Sequence, residues 1–347
     1  MRDVKTRSSI RLAVVDDSVF VRKAICRLFQ GDERFTVVGA ASCGEELLEH
    51  LEAWNPTAVT LDLSMPGMGG LATLDELLRR RRLPVIILSA HTSQEAPLTI
   101  EALSRGAVDF VDKQQFSLVD FDALRSVLTE KLLTIAGTRR SAEPPLLVPV
   151  VPSPMPATGS HDILLIGAST GGPPAIEQVL RDLGTPSFPI AIVQHMPPGF
   201  TAAFADRLNA HLPMDVCEAS HGARFVPGVA YIAPAGMHLK LKKDGEEMFT
   251  TLSRYPDSTT HCPSVNVLFE SAEAFGERCV AVLLTGMGDD GANGLLKLAS
   301  AGALTVVQDE ATSVVYGMPR AAVALNAARE QLPLPSIGKR VIELLRF

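Results

Sequence analysis

The sequence predicts an α/β protein with two units, each a mainly parallel sheet with helices on both faces. Three observations predict this class. Short apolar runs alternate with amphipathic stretches over residues 10–134, a proline-rich stretch then interrupts this pattern, and the alternation resumes at Asp162. Strands that alternate with helices form parallel sheets, because each helix carries the chain back before the next strand begins.

The first unit has five candidate strands with helical patterns between and after them. The strands are predicted at Ile10–Asp16, Thr36–Ala40, Ala58–Asp62, Val85–Ser89 and Val108–Val111. The helices are predicted at Val19–Phe29, Glu45–Ala53, Leu71–Arg81 and Leu118–Leu133. We expect these strands to form a sheet of the flavodoxin-like order 2-1-3-4-5.

A proline-rich segment separates the two units. The stretch from Ser141 to Pro156 contains Pro144, Pro145, Pro149, Pro152, Pro154 and Pro156. Proline fixes φ and removes a backbone donor, so this stretch favours extended conformations over helix or sheet. We therefore predict a first domain at residues 1–135, a linker at 136–160 and a second domain at 161–347.

The second unit has seven candidate strands. They are predicted at Ile163–Gly167, Ile190–Gln194, Val229–Ala233, Met237–Leu241, Glu247–Leu252, Val280–Leu284 and Leu304–Val307. Turn residues at 234–236 and 243–245 separate the middle three strands. This predicts a small antiparallel hairpin within a second doubly wound, mainly parallel sheet.

Charge and composition argue against several classes of protein. The net charge of -7 argues against nucleic-acid binding, which favours a basic surface. None of the cysteines forms a Cys-x-x-Cys pair, so neither a zinc site nor a disulfide framework is predicted. The cysteines are Cys26, Cys43, Cys217, Cys262 and Cys279. No signal segment or membrane span is recognisable, so we expect a cytoplasmic protein without membrane insertion.

Carboxylates follow two neighbouring strands of the first sheet. Asp16 and Asp17 end the first strand, and Asp62 ends the third. Three carboxylates at one sheet edge repel one another unless a cation binds them, and Mg²⁺ suits oxygen ligands and a phosphoryl oxygen. Ser89 at the end of the fourth strand and Lys113 after the fifth add a hydroxyl and an ammonium. Solvated acids at strand ends are the alternative, but the joint pattern favours a phosphoryl site.

The first unit resembles response-regulator receiver domains. The resemblance lies in Val14-Val15-Asp16-Asp17-Ser18, Leu61-Asp62-Leu63-Ser64-Met65-Pro66, Leu88-Ser89-Ala90 and Val111-Asp112-Lys113. It implies that Asp62 accepts phosphate and that Mg²⁺ is held by Asp16, Asp17, Asp62 and the carbonyl of Ser64. It also implies that Ser89 moves toward the phosphoryl group and Lys113 pairs with it. Gly69 and Gln114 depart from the residues common in that family.

A serine lies at a predicted strand–helix turn in the second unit. Ser169 is the centre of a G-x-S-x-G match between Gly167 and Gly171, and prolines start the following helix. Backbone N–H groups at a helix N-terminus can stabilise an oxyanion. A dinucleotide-binding turn and a simple glycine-rich turn with a serine cap are the alternatives, although G-x-G-x-x-G is absent.

A base and a carboxylate are predicted at the same sheet edge. His195 ends the next strand, and Asp289 and Asp290 follow the strand Val280–Leu284. A serine nucleophile needs a neighbouring base, and that base needs an orienting acid. The order Ser, His, Asp differs from that of α/β-hydrolases, so that fold is not indicated.

The second unit resembles the catalytic domain of chemotaxis protein-glutamate methylesterases, a family that joins a receiver to it in this order. The resemblance lies in Ile166-Gly167-Ala168-Ser169-Thr170-Gly171-Gly172, Gln194-His195-Met196-Pro197 and Thr285-Gly286-Met287-Gly288-Asp289-Asp290-Gly291-Ala292. It implies that Ser169 is the nucleophile, His195 the general base and Asp290 the orienting carboxylate. Backbone N–H groups of Thr170 and Met287 are the oxyanion candidates.

The resemblance implies a phosphorylation-activated hydrolase of a two-component system. Its substrates would be glutamate γ-methyl esters on methyl-accepting chemoreceptors, hydrolysed to glutamate and methanol, and receptor glutamines would be deamidated. A chemotaxis histidine kinase is the implied phosphodonor. Mg²⁺ is the implied cofactor of the receiver, and the esterase reaction needs none. We expect the unphosphorylated receiver to obstruct the catalytic face.

Two other functions compete with this one. A receiver-linked dinucleotide-binding module would depend on Gly167 and Gly171 and give His195 no role. An interaction adaptor would keep the fold without chemistry, which the presence of Ser169, His195 and Asp290 disfavours.

Overall fold

The computed structural model describes residues 9–89, 95–113, 121–138, 161–256 and 259–345. The chain divides into two compact units, with the division after Ser141. Most of the predicted linker, residues 139–160, lies outside the described residues, whereas residues 136–138 end a helix. The domain bounds at 1–135, 136–160 and 161–347 therefore stay predictions.

The first unit is a five-stranded parallel sheet. Its strands are β1 Ile10–Val15, β2 Phe35–Ala41, β3 Ala58–Asp62, β4 Val85–Ser89 and β5 Asp109–Asp112. Its helices are α1 Val19–Leu28, α2 Gly44–Trp54, α3 Gly69–Arg80, α4 Glu95–Ser104 and α5 Phe121–Thr138. The order β2-β1-β3-β4-β5 confirms the predicted topology. Strands β3 and β4 are buried along their whole length, as expected for a parallel sheet covered on both faces.

The second unit is built on a seven-stranded parallel sheet. Its strands are β6 Ile163–Ala168, β7 Ile190–Gln194, β8 Asp215–Glu218, β9 Val229–Ile232, β10 His238–Asp244, β11 Glu247–Ser253, β12 Cys279–Leu283, β13 Leu304–Gln308 and β14 Glu330–Leu332. Its helices are α6 Gly172–Leu183, α7 Phe200–His211, α8 Val265–Ser271, α9 Ala292–Ser300, α10 Met318–Ala324 and α11 Leu334–Leu344. A short 3₁₀ helix spans Glu273–Arg278.

The sheet order of the second unit is β14-β13-β12-β6-β7-β9-β8. Strand β6 is central, with β12 and β7 paired in parallel to its two sides. The residues that follow these three strands therefore emerge at one edge of the sheet. This edge carries the candidate active site.

The predicted hairpin is present, but it lies outside the parallel sheet. Strands β10 and β11 pair with each other as a separate antiparallel sheet of two strands. The prediction placed the hairpin within the main sheet. That placement is wrong because β7 and β8 occupy both edges of β9, which leaves β9 no edge for β10.

Among the described residues, no helix is both long enough and apolar enough to cross a membrane. The five cysteines are all free thiols.

Candidate active site and phosphoacceptor site

The turn after β6 holds Ser169 between a strand and a helix. The Ser169 N–H donates to the Thr285 carbonyl at 3.0 Å, and the Gly172 N–H donates to the Ser169 carbonyl at 2.7 Å. Gly171 has a φ of 75°, which favours glycine, and caps helix α6. The helix has proline in its first turn, where no partner for a proline N–H is needed. The backbone thus fixes Ser169 at a helix N-terminus.

His195 lies beside Ser169 because β6 and β7 are neighbours. Ala168 and Gln194 are register partners at the ends of these strands. The His195 N–H donates to the Ala168 carbonyl at 3.1 Å. The Gln194 amide donates to the carbonyls of both Ser169 and His195, at 2.9 and 3.0 Å. The backbones that carry the predicted nucleophile and base are therefore joined directly.

The imidazole of His195 and the carboxylate of Asp290 form a nearly buried pair. His195 Nε2 lies 2.8 Å from Asp290 Oδ2, and the two side chains are 9% and 10% exposed. A carboxylate accepts hydrogen bonds, so Nε2 carries the proton in this pair. His195 Nδ1 is buried and has no hydrogen-bond partner within the described part of the chain. In the neutral imidazole, the lone pair is therefore on Nδ1.

Asp290 is held by the start of helix α8. Its Oδ1 accepts from the Ser264 hydroxyl at 2.8 Å and the Asn266 N–H at 3.1 Å, and its Oδ2 accepts from the Val265 N–H at 2.7 Å. Burial raises the pKa of Asp290, but the His195 pair and these donors outweigh it and bring the pKa to about 2. Asp290 is therefore a fixed anion rather than a proton acceptor.

The space beside two glycines of the site is filled by side chains of the protein and is not open to a ligand. A Cβ at Gly167 would lie 2.2 Å from Val265 Cγ1, and one at Gly171 would lie 2.5 Å from Val314 Cβ. A pyrophosphate-binding turn needs these positions open to the ligand. Because Val265 and Val314 fill them, the geometry disfavours the dinucleotide alternative.

Two histidines that are not among the predicted catalytic residues lie next to the pair. The His261 ring stacks on His195 with centroids 4.1 Å apart and planes at 22°. Burial and the neighbouring His195 lower the pKa of His261. His238 is fully buried, and its Nδ1 accepts the Ser264 N–H at 3.2 Å. No local motif marks His261, His238 or Ser264, since they reach Asp290 only through the tertiary fold.

The predicted oxyanion donors lie on the two loops that border Ser169. Thr170 is buried in the nucleophile turn, and Met287 follows Gly286 after β12. The N–H groups of Ser169 and Gly286 donate to other carbonyls and are not available to a substrate. Thr170 and Met287 stay predictions for this role.

The first unit gathers its predicted carboxylates at one edge. Ligand oxygens of Asp16, Asp17 and Asp62 all lie within 4.8 Å of one another. Lys113 Nζ lies 3.0 Å from Asp16 Oδ2 and 2.8 Å from Asp62 Oδ2. Asp16 Oδ2 is buried, and a carboxylate oxygen in an ion pair with Lys113 still has a lone pair to offer a second cation. This all-oxygen donor set fits Mg²⁺.

Burial and the Lys113 ion pairs shift the pKa values at this edge in opposite directions. Burial raises the pKa of Asp16, and Asp62 adds to the rise, while Lys113 opposes it. Burial lowers the pKa of Lys113, but its contacts with Asp62 and Asp16 give a net rise. The ammonium therefore partly substitutes for a bound cation.

The two hydroxyl residues predicted here are also at this edge. The Ser64 N–H donates to Asp62 Oδ1 at 3.2 Å, and the Ser89 Oγ lies 2.6 Å from the Thr99 Oγ1 on α4. Gln114, the departure noted beside Lys113, lies outside the described residues.

Known families match both units. The family model described as CheB methylesterase matches residues 164–341. The family model described as response regulator receiver domain matches residues 12–125. The chain belongs to the CheB methylesterase family. Both resemblances predicted from the sequence are thereby confirmed.

Similarity to other CheB methylesterases extends over nearly the whole chain. A protein-glutamate methylesterase/protein-glutamine glutaminase of Paraburkholderia xenovorans is 40% identical, covering 97% of this chain and 96% of that one. A protein of the same name from Salmonella typhimurium is 39% identical, covering 96% and 97%. The crystal structure of the Thermotoga maritima CheB methylesterase catalytic domain is 37% identical with a TM-score of 0.52, covering 53% of this chain and 99% of that one.

Proposed function

We propose that this protein is a protein-glutamate methylesterase that also deamidates protein glutamines, and that phosphorylation of its receiver activates it. The observation that carries the proposal is the His195–Asp290 pair at 2.8 Å, on a strand end whose backbone is hydrogen-bonded to the residue before Ser169, with the buried His195 Nδ1 left without a hydrogen-bond partner among the described residues. A neutral imidazole with a fixed tautomer is what a serine nucleophile requires.

In the proposed reaction Ser169 Oγ attacks the ester carbonyl while His195 Nδ1 takes its proton. Asp290 stabilises the imidazolium that forms, because its lowered pKa keeps it ionised. The backbone N–H groups of Thr170 and Met287 stabilise the oxyanion. Methanol leaves with the proton from His195, and water then hydrolyses the acyl-enzyme. A glutamine amide presents the same acyl geometry, with ammonia as the leaving group.

The receiver carries the control of this activity. Asp62 is the proposed phosphoacceptor, with Asp16, Asp17, Asp62 and the carbonyl of Ser64 to hold Mg²⁺. When bound, Mg²⁺ neutralises charge on the carboxylates and on phosphoryl oxygens. Lys113 pairs with the phosphoryl group, and Ser89 exchanges its contact with Thr99 for one to that group.

The proposed substrates are methyl-accepting chemoreceptors, and a chemotaxis histidine kinase is the phosphodonor. The test is methanol release from methylated receptor membranes, with and without a small-molecule phosphodonor. Wild-type protein should release methanol faster with the phosphodonor, and Asp62→Asn should not respond to it. Ser169→Ala should release none above background, and wild-type release by this variant would refute the mechanism.

A further inference from the structure

A buried glutamine behind the nucleophile turn has no part in the reaction described above. Gln308 ends β13 and is fully buried. Its Oε1 accepts the Thr285 N–H at 2.8 Å, and its Nε2 donates to the Thr312 carbonyl at 2.8 Å. A buried amide is costly unless it is hydrogen-bonded, and here both ends are.

Thr285 connects this glutamine to the nucleophile. Its carbonyl accepts the Ser169 N–H at 3.0 Å. Its hydroxyl donates to the Thr170 carbonyl at 2.9 Å, so one residue holds both Ser169 and Thr170. Thr285 also lies two residues before Met287, the second oxyanion candidate. A shift of Thr285 therefore moves the nucleophile and both candidate donors.

The other end of Gln308 holds a third loop against the same site. Thr312, its partner, begins a segment in which Val314 fills the space beside Gly171. Further along that segment the Met318 N–H donates to the Gly286 carbonyl at 2.9 Å. The segment 312–318 thus packs on the nucleophile turn and on the loop after β12.

We propose that Gln308 is a positioning residue for the hydrolase site: it fixes Thr285 and the segment 312–318, and through them the orientation of Ser169. This rests on the proposed esterase function. An amide is suited to the task because Thr285 presents a donor and Thr312 an acceptor, and one side chain satisfies both. Small displacements at a reacting centre cost rate even when the mutated residue is remote.

The test compares two variants of the full-length protein on one strand. Gln308→Met keeps length and apolar volume but removes both hydrogen bonds. Thr305→Val is the control, because Thr305 is equally buried on β13, donates to the Ala327 carbonyl and accepts the Arg329 N–H, away from the site. The readouts are thermal unfolding and the rate at which a fluorophosphonate labels Ser169.

Both variants should lose stability, but only Gln308→Met should label about 100-fold more slowly than wild type. On receptor membranes its loss should fall on kcat rather than on KM. Equal labelling rates for Gln308→Met and Thr305→Val would overturn the positioning role and leave the esterase intact. Failure of wild-type protein to label at Ser169 would instead refute the proposed function.

If Gln308→Met does not fold, Gln308→Glu tests whether the two hydrogen bonds of this side chain position the site. A protonated carboxyl can accept from Thr285 and donate to Thr312, whereas an ionised one cannot donate and is repelled by the neighbouring Asp309, whose Oδ1 accepts from Thr312. Burial raises the pKa of the introduced group. Its labelling rate relative to wild type should rise as pH falls from about 8 to about 6. A ratio that does not change with pH would contradict the proposal.

Discussion

Asp290 has a proposed part in catalysis and an observed part in packing. It accepts hydrogen bonds from His195, from the Ser264 side chain and from two backbone N–H groups of α8. The N-terminus of a helix favours an anion, so the same contacts that keep Asp290 ionised also fix the start of α8. The proposed orienting acid is therefore also a structural residue.

Acid should remove this stabilisation. The pKa of Asp290 falls from its usual 3.8 to about 2 in the folded protein, so its stabilising contribution is present above about pH 4 and is lost as pH falls toward 2. This shift corresponds to roughly 2 kcal/mol. Asp290→Asn should lower the free energy of unfolding at pH 7, and its deficit relative to wild type should shrink as pH falls from about 5 to about 3.

Urea unfolding at several pH values measures this, with Asp289→Asn as the control. Asp289 is exposed beside Asp290, so its replacement should have little effect. A pH-independent deficit for Asp290→Asn would show that ionisation of Asp290 does not stabilise the fold.

The pKa of Asp16 is shifted in the opposite direction from that of Asp290. Burial, with a smaller contribution from Asp62, raises its pKa, so its ionised form is disfavoured by folding, and stability is lost as pH rises through its folded pKa. Without Mg²⁺, Asp16→Asn should raise the melting temperature of the protein's receiver transition at neutral pH, while the exposed Asp17→Asn should change it little. Calorimetry in a chelator checks this. A lower melting temperature for Asp16→Asn would contradict it.

Among single residues, the sequence predicted those that lie in recognisable motifs. It did not predict those that approach the site only through tertiary packing. Ser169, His195 and Asp290 were identifiable because each follows a strand, and parallel strands share an edge. His261 and Ser264 lie in the irregular segment before α8, with no periodicity or turn signature to place them. Their proximity to His195 and Asp290 depends on how α8 packs.

Among the elements, α8 packs close to β6 because glycine allows it. Val265, the first residue of α8, lies where a Cβ of Gly167 or Gly291 would be. This approach brings the α8 N–H groups within reach of Asp290. The first glycine of the G-x-S-x-G match thus serves helix packing.

Gly171 should not tolerate a side chain. It has a φ of 75° and a ψ of 3°, and a Cβ there would lie 2.5 Å from Val314 Cβ. Gly171→Ala should cost about 1 kcal/mol from the left-handed backbone and about 2 kcal/mol more from overpacking, and it should lower esterase activity.

Denaturant unfolding and methanol release measure both effects. A loss of only about 1 kcal/mol in the free energy of unfolding would show that Val314 yields to the new side chain at no cost.

Strands β8 and β14, which were not predicted from the sequence, lack an apolar signal. Strands β8 and β14 lie at the two edges of the seven-stranded sheet and span only Asp215–Glu218 and Glu330–Leu332. Such short, half-polar segments form strands because a neighbouring strand offers its edge, and not because of their own pattern. The central strands, buried along their length, were predicted to within two residues.

The whole molecule couples a phosphoacceptor unit to a hydrolase unit. A ligand or modification shifts an equilibrium only by its different interaction with the two states. The proposed phosphorylation of Asp62 would add charge beside Lys113 and Asp16. The two conformational states whose populations it shifts must therefore differ at that edge. The proposed consequence is release of the catalytic face.

A catalytic unit without the receiver should therefore escape inhibition. A protein that begins near residue 155 should release methanol from receptor membranes faster than unphosphorylated full-length protein, and a phosphodonor should leave its rate unchanged. The full-length Asp62→Asn variant serves as the control that cannot be activated. Equal rates for the short protein and the unphosphorylated full-length protein would argue against inhibition by the receiver.

Covalent labelling tests the mechanism most directly. After reaction with a fluorophosphonate, peptide mass mapping of wild-type protein should locate the adduct on Ser169, while His195→Ala should lose it and Asp290→Asn should form it far more slowly. An adduct on another residue, or labelling of Ser169 that is indifferent to His195, would contradict the nucleophile–base–acid arrangement proposed for this protein.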